Sequence, residues 1–161
     1  MTNAYESLMD TNKTNLKRIK TNKNLLYPDL SYQLQGAVFE VSNKYGKGLK
    51  ENIYQNALVE EFTKRNIKFE EQKRINIHSI DTGKVLGTYV PDFIIDEKII
   101  LEIKATEFAT KQDLNQQQSY LKASTYEVAY LVNFCTPKLF IKRSIYTNDR
   151  KPFITRMNAN L

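Results

Sequence analysis

Two apolar stretches, Tyr89 to Ile95 and Ile99 to Ala105, are separated only by Asp96-Glu97-Lys98, and each carries charge in its interior. Both stretches are rich in β-branched or other large apolar residues, so each reads as a strand and the three polar residues as the turn between them. Strand side chains alternate between faces, which puts Glu102 and Lys104 on one side and Leu101 and Ile103 on the other. With the hairpin centred on Glu97, residues equally far from it face each other, and Asp92 meets Glu102. The expected result is two carboxylates and an ammonium on one patch of an otherwise apolar sheet.

Like charges a few ångströms apart repel unless a cation lies between them. Lys104 supplies one such cation, and Mg²⁺ or Mn²⁺, which favour carboxylate and water oxygens, would supply another. The plain alternative is a surface hairpin with a cross-strand ion pair. The apolar residues around Asp92 and Glu102 weigh against it, because charges set into a buried sheet are uncommon without a purpose.

Upstream, Leu34, Ala37, Val38 and Val41 recur at helical spacing from about Tyr32, and Gly46 and Gly48 stop that helix. A second helix is expected from about Leu49 to Arg65, with Ile53, Ala57, Leu58 and Phe62 as its apolar stripe. Phe69 to Ile77 and Val85 to Ile95 are expected strands, joined by a turn through Ser79, Asp81, Thr82 and Gly83. Residues 109–124 read as helix, and Glu127 to Phe134 and Lys138 to Tyr146 as two closing strands. The order ααβββαββ predicts an α/β fold, a mixed central sheet flanked by helices. Residues 1–30 read as a flexible basic extension, 31–147 as the domain, and 148–161 as a loose basic tail.

The chain of 161 residues has room for one domain with a real core. No apolar run approaches the ~20 residues that a membrane span needs, and no secretory leader is expected before Glu6 and Asp10. One cysteine, Cys135, excludes an internal disulfide and a thiolate zinc site, so a cytoplasmic setting is expected. The net charge of +6 is concentrated at the ends, since residues 1–24 carry +3 and residues 138–161 carry +5. The middle is therefore −2, a distribution suited to gripping phosphates around an acidic site, although Lys-rich ends also occur merely as solvated surface. His78 reads as a surface residue near a turn and Cys135 as structural.

Two further pairs share helix faces: Glu51 with Tyr54 one turn on, and Gln116 with Tyr120 at i, i+4. Alone, each is ordinary packing or solvated surface. In order, however, Gly48, Glu51 and Tyr54, then Pro91-Asp92, Glu102-Ile103-Lys104, Gln116 with Tyr120-Leu121-Lys122-Ala123, Asn133-Phe134 and Ile141-Lys142-Arg143 form a pattern. From about Leu34 to Ile145 it resembles the GxxExxY family of the PD-(D/E)XK nuclease superfamily, with its restriction-endonuclease-like core. The chain departs from the family at Ser42, where members often carry a histidine.

The resemblance implies a catalytic set of Glu51, Asp92, Glu102, Lys104 and Gln116. It implies that Asp92, Glu102, the Ile103 carbonyl and Glu51 hold Mg²⁺ or Mn²⁺, with Lys104 acting on the attacking water or the developing phosphorane charge. Tyr54, Tyr120, Lys142 and Arg143 are then the expected substrate contacts. The implied activity is metal-dependent hydrolysis of nucleic-acid phosphodiesters, DNA first, by endo- or exonuclease action in repair, processing or defence. A homodimer or protein partner is compatible with it, and no membrane is involved. The competing reading is a non-catalytic module that keeps the nuclease fold as a surface for nucleic acid or protein. A complete acidic set with its lysine favours the enzyme, because a pure binding role makes no demand on all four residues.

Overall fold

The computed structural model describes residues 26–159, in two compact units that divide after Ile67. The expected N-terminal extension lies outside the described residues up to position 25. In the first unit, helix α1 (Pro28–Tyr45) begins on a proline, whose missing N–H is one a first turn leaves unused. Its stripe Leu34, Ala37, Val38 and Val41 is buried as the sequence spacing predicts. Gly46, at φ 64°, ends it by donating its N–H to the Ser42 carbonyl at 2.9 Å. Helix α2 (Glu51–Lys64) buries Tyr54, Leu58, Glu61 and Phe62, whereas Ile53, expected in its stripe, is exposed. Glu61 ties the two helices: it accepts from Arg65 Nε at 2.7 Å and faces Lys44 Nζ at 3.5 Å. Burial pushes the Glu61 carboxyl up, but Arg65, Lys44 and Lys64 together hold it below the usual range.

The second unit contains a five-stranded mixed sheet in the order β1-β4-β5-β6-β7: β1 (Phe69–Glu71), β4 (Phe93–Ile95), β5 (Ile99–Lys104), β6 (Val128–Asn133) and β7 (Phe140–Ile145). All pairings are antiparallel except β5 with β6, which needs a crossover, supplied by helix α3 (Lys111–Ala123). Strands β2 (Ile75–His78) and β3 (Val85–Tyr89) form a separate hairpin.

The α/β class and mixed sheet match the expectation, but each of two expected long strands is split. Gln72, left-handed at φ 51°, breaks 69–77 into β1 and β2. Pro91 breaks 85–95 into β3 and β4, because it has no N–H to give a ladder. The β4–β5 turn places Asp96 and Glu97 in the left-handed region, at φ 46° and 58°, and Lys98 N–H donates to the Ile95 carbonyl at 2.9 Å. Such a left-handed pair is what tight hairpins require.

On one face of the sheet, Ile94, Ile100 and Ala129 pack with Leu121 of α3 and Ile75 of the hairpin. Tyr89 and Tyr120 stack at 3.9 Å between ring centres, fastening the hairpin to α3. No described helix is long and apolar enough to cross a membrane.

The segment from Thr147, expected to be a loose tail, carries a 3₁₀ turn (Asn148–Arg150) and helix α4 (Pro152–Ala159). Phe153 is fully buried and stacks on His78 at 5.4 Å, so His78 is a core residue rather than the surface residue expected. His78 Nδ1 also bonds the Gly83 carbonyl at 3.0 Å. A Cβ on Gly83, already at φ 76°, would press on the Phe153 carbonyl at 3.3 Å. Lys151 is 2% exposed, and its Nζ donates to the Ser124 and Tyr126 carbonyls just past the C-terminus of α3. Burial lowers its pKa to about 8, against the pull of Glu127.

Two outcomes follow for this docked end. Phe153→Ala should lower unfolding free energy by about 3–5 kcal/mol in urea titration; a loss below about 0.5 kcal/mol would mean that α4 is undocked. For Lys151, the folded pKa of about 8 lies below the unfolded value of 10.5, so the unfolded chain holds more protons between them. Stability of the wild type relative to Lys151→Met should therefore rise as pH climbs from about 8 towards 10. A flat difference over that window would contradict the buried ammonium.

Candidate active site

Strands β4 and β5 pair as Phe93↔Leu101, Ile94↔Ile100 and Ile95↔Ile99, the register expected from a turn about Glu97. Continued by one residue, it sets Asp92 opposite Glu102, and by two, Pro91 opposite Ile103. Proline has no N–H and cannot extend the ladder. The Asp92 carboxylate takes over, its Oδ2 accepting the Ile103 N–H at 2.7 Å. Ile103 is fully buried, so its N–H needs an acceptor within the protein, and Asp92 supplies it. In a strand the N–H and C=O of one residue point to the same side, so the Ile103 carbonyl is directed to the Asp92 edge of β5.

Glu102 and Lys104 are half-buried while Leu101 and Ile103 are fully buried, as the alternation predicts. Glu102 Oε1 is shielded from solvent. Across β5, β6 and β7 the pairings Glu102↔Leu131 and Leu131↔Lys142 form one row, and paired residues share a face. Lys142 therefore stands on the Glu102 face, about 10 Å away at two strand spacings. Arg143, paired with Tyr130 in the adjacent row, is on the opposite face. Of the two expected substrate contacts, Lys142 therefore shares the Glu102 face and Arg143 does not, because neighbours on a strand point apart.

Helix α3 brings further groups to Lys104. Thr110 caps it, Oγ1 accepting the Asp113 N–H at 3.1 Å and donating to Asp113 Oδ2 at 2.6 Å. Asp113 Oδ1 lies 3.9 Å from Lys104 Nζ, a long contact to a side chain that is 33% exposed. Gln116 is exposed one turn beyond Asp113, on the same flank of the helix. Its neighbour Gln117 is the buried glutamine, donating Nε2 to the Tyr130 carbonyl at 2.9 Å. Tyr120 is committed to its stack on Tyr89, not turned outward with Gln116 as the i, i+4 spacing suggested.

In the other unit, Glu51 is half-buried in the first turn of α2, where the helix dipole favours a carboxylate. Tyr54 is fully buried; its hydroxyl donates to the Gly46 carbonyl at 2.6 Å and receives the Leu49 N–H at 3.3 Å. It braces the turn between α1 and α2, so the expected substrate contact has no exposed surface to act through.

The sequence reading missed Asp113, although Thr110-Lys-Gln-Asp113 is spelled as a capping box. It also gave no role to Asn133, which pairs with Lys104 and organises the loop after it. A cleft of about 250 Å³ lined by Lys68, Phe69, Glu70, Ile94, Asp96 and Glu97 lies at the turn end of the β4–β5 hairpin, away from Lys104.

Among the described residues no three His, Cys, Asp or Glu side chains gather around a point as a metal cage. What β4 and β5 offer instead is two carboxylates on paired positions and a backbone carbonyl, all hard oxygen donors. That set fits Mg²⁺ or Mn²⁺, which are commonly bound through one or two carboxylates and keep several waters.

None of the curated proteins matches this chain. Among solved structures, that of SSO0001 is 17% identical with a TM-score of 0.46, over 89% of this chain and 67% of its own. An alkaline exonuclease (LHK-Exo) from Laribacter hongkongensis is 12% identical with a TM-score of 0.42, over 90% and 87%. Neither likeness is close enough to bear on chemistry. A sequence profile of the PD-(D/E)XK nuclease superfamily matches residues 28–144, far more than half of the chain, and spans Asp92, Glu102 and Lys104. By that match the chain belongs to the PD-(D/E)XK nuclease superfamily, whose members act on nucleic acid and generally use divalent metal ions.

Proposed function

We propose that the protein is a Mg²⁺- or Mn²⁺-dependent nuclease that hydrolyses phosphodiester bonds, in DNA first, as a member of the GxxExxY group. The observation that carries this reading is the Asp92 carboxylate fixed on the Ile103 N–H at 2.7 Å, directly across from Glu102. Asp92, Glu102 and the Ile103 carbonyl would hold the ion; Glu51 is a further carboxylate of the family motif. When bound, the ion supplies Lewis-acid polarisation of the phosphate and lowers the pKa of its water.

The chain's own groups do the rest. Lys104 Nζ orients the water and meets the negative charge that grows on the phosphorus oxygens. Asp113, 3.9 Å away, gives the ammonium a carboxylate neighbour on α3. Gln116 hydrogen-bonds a phosphate oxygen from the flank of α3. Lys142, in the row of Glu102, grips a neighbouring phosphate. Repair, processing and defence of DNA are the settings in which such an activity is used.

The metal linkage is testable without a substrate. Mg²⁺ or Mn²⁺ at a hundred times its Kd should stabilise the wild type by about 2.7 kcal/mol, seen as a higher Tm. Asp92→Asn keeps an oxygen for the Ile103 N–H but loses the charge, so the fold should persist and the rise should vanish. An equal rise in the variant would place the ion elsewhere.

Cleavage is tested on a panel of single-stranded, duplex, branched and RNA substrates. Lys104→Ala should lower kcat by roughly a hundredfold or more while the metal-induced Tm rise remains. Lys142→Ala should raise KM and reduce the salt slope of binding by about one, with kcat little changed. If the wild type cuts nothing yet binds tightly, and Lys104→Ala binds equally well, the chain is a binding module and the enzyme reading fails.

A further inference from the structure

The segment from Ala105 to Thr110 links β5 to α3 across the end of the sheet where Lys104 stands. Both of its ends are pinned. Asn133, paired with Lys104, accepts the Thr106 N–H on Oδ1 at 3.2 Å and donates Nδ2 to Thr106 Oγ1 at 3.0 Å. Thr106 Oγ1 in turn donates to the Phe108 carbonyl at 2.9 Å, and Thr110 at the far end is the cap of α3. From this fixed loop Phe108 stands 73% exposed, level with Leu86 as the most exposed of the large apolar side chains described.

A single exposed apolar residue is ordinary in itself. Three things distinguish Phe108. It follows Lys104 by four residues, and its loop leaves the carboxyl end of the β5–β6 parallel pair, where open α/β sheets bind their ligands. Its backbone is already ordered, so binding through it pays little further entropy. Finally, the charges beside it, Glu107 and Lys111, cancel, so the loop has no net pull on phosphates. What it offers nucleic acid is the face of a ring.

Resting on the nuclease reading above, we infer that Phe108 forms a base-stacking subsite, which takes an unpaired or terminal nucleobase beside the scissile phosphate. Aromatic stacking of this kind accepts every base, because each has a π-face. It positions the strand without reading its sequence.

The test compares wild type, Phe108→Ala and Phe108→Trp on single-stranded oligonucleotides with an abasic site stepped through the positions flanking the cut. Fluorescence quenching of 2-aminopurine placed at the same positions, without divalent metal, gives a second readout that needs no cleavage. Phe108→Ala should raise KM roughly tenfold with kcat little changed, and Phe108→Trp should restore KM. One abasic position should weaken the wild type by a similar factor and leave Phe108→Ala unaffected. 2-Aminopurine there should be quenched by the wild type and not by Phe108→Ala. Equal KM and equal quenching for wild type and Phe108→Ala at every position would overturn the subsite while leaving the nuclease reading intact. If the wild type cuts none of these single strands, the nuclease reading is decided by the wider substrate panel, and the quenching difference alone decides the stack: present, it stands; absent, it is overturned.

Discussion

The second unit is organised around a single charge-assisted hydrogen bond, from the Ile103 N–H to Asp92 Oδ2 at 2.7 Å. Pro91 stands across from Ile103 and has no N–H to give it, and the β4–β5 ladder stops short of that pair. A buried N–H left without a partner costs about 1–3 kcal/mol. The carboxylate of the next residue removes that penalty and in doing so becomes immobile. One device thus ends a strand, satisfies a buried donor and fixes an acid opposite Glu102. In the proposed ion site, Asp92 would be the member already held by backbone before an ion arrives.

Helix α3 is the element on which the surroundings of that bond converge. It closes the parallel β5–β6 crossover, packs Leu121 on Ile100 and Ala129, and carries Asp113 and Gln116 along the flank nearest Lys104. Tyr120 on the same helix holds the β2–β3 hairpin through Tyr89. The far end of that hairpin is held by α4, through Phe153 on His78 and the close approach to Gly83. Lys151 then returns the chain to the C-terminal end of α3 by capping the Ser124 and Tyr126 carbonyls. The C-terminal segment is therefore part of what keeps the hairpin and α3 together.

How much of this is legible in the sequence depends on whether the deciding interaction is local. The β4–β5 register follows from a three-residue turn and two apolar runs, and it is found as expected. The buried stripe of α1 follows equally from spacing. The splits at Gln72 and Pro91 do not show in apolar patterning, because continuous hydrophobicity says nothing of which sheet a residue joins. Nor does Phe153: one aromatic in a basic, polar stretch reads as tail until the partner ring of His78, far away in sequence, is known. Gln116 and Gln117 are adjacent and alike, and only the phase of α3 against Tyr130 decides which is buried. Lys142 and Arg143 show the opposite case, since strand alternation alone puts them on different faces once β7 is recognised.

The central claim is that the paired Asp92 and Glu102 carboxylates, with the Ile103 carbonyl, hold one divalent ion. The most direct measurement is an anomalous difference map from crystals grown with Mn²⁺, collected at a wavelength where manganese scatters anomalously. The expected result is one strong peak beside Asp92, Glu102 and the Ile103 carbonyl, the groups that would hold the ion. A map with no peak there at saturating Mn²⁺, or with its peak on other carboxylates, would contradict it.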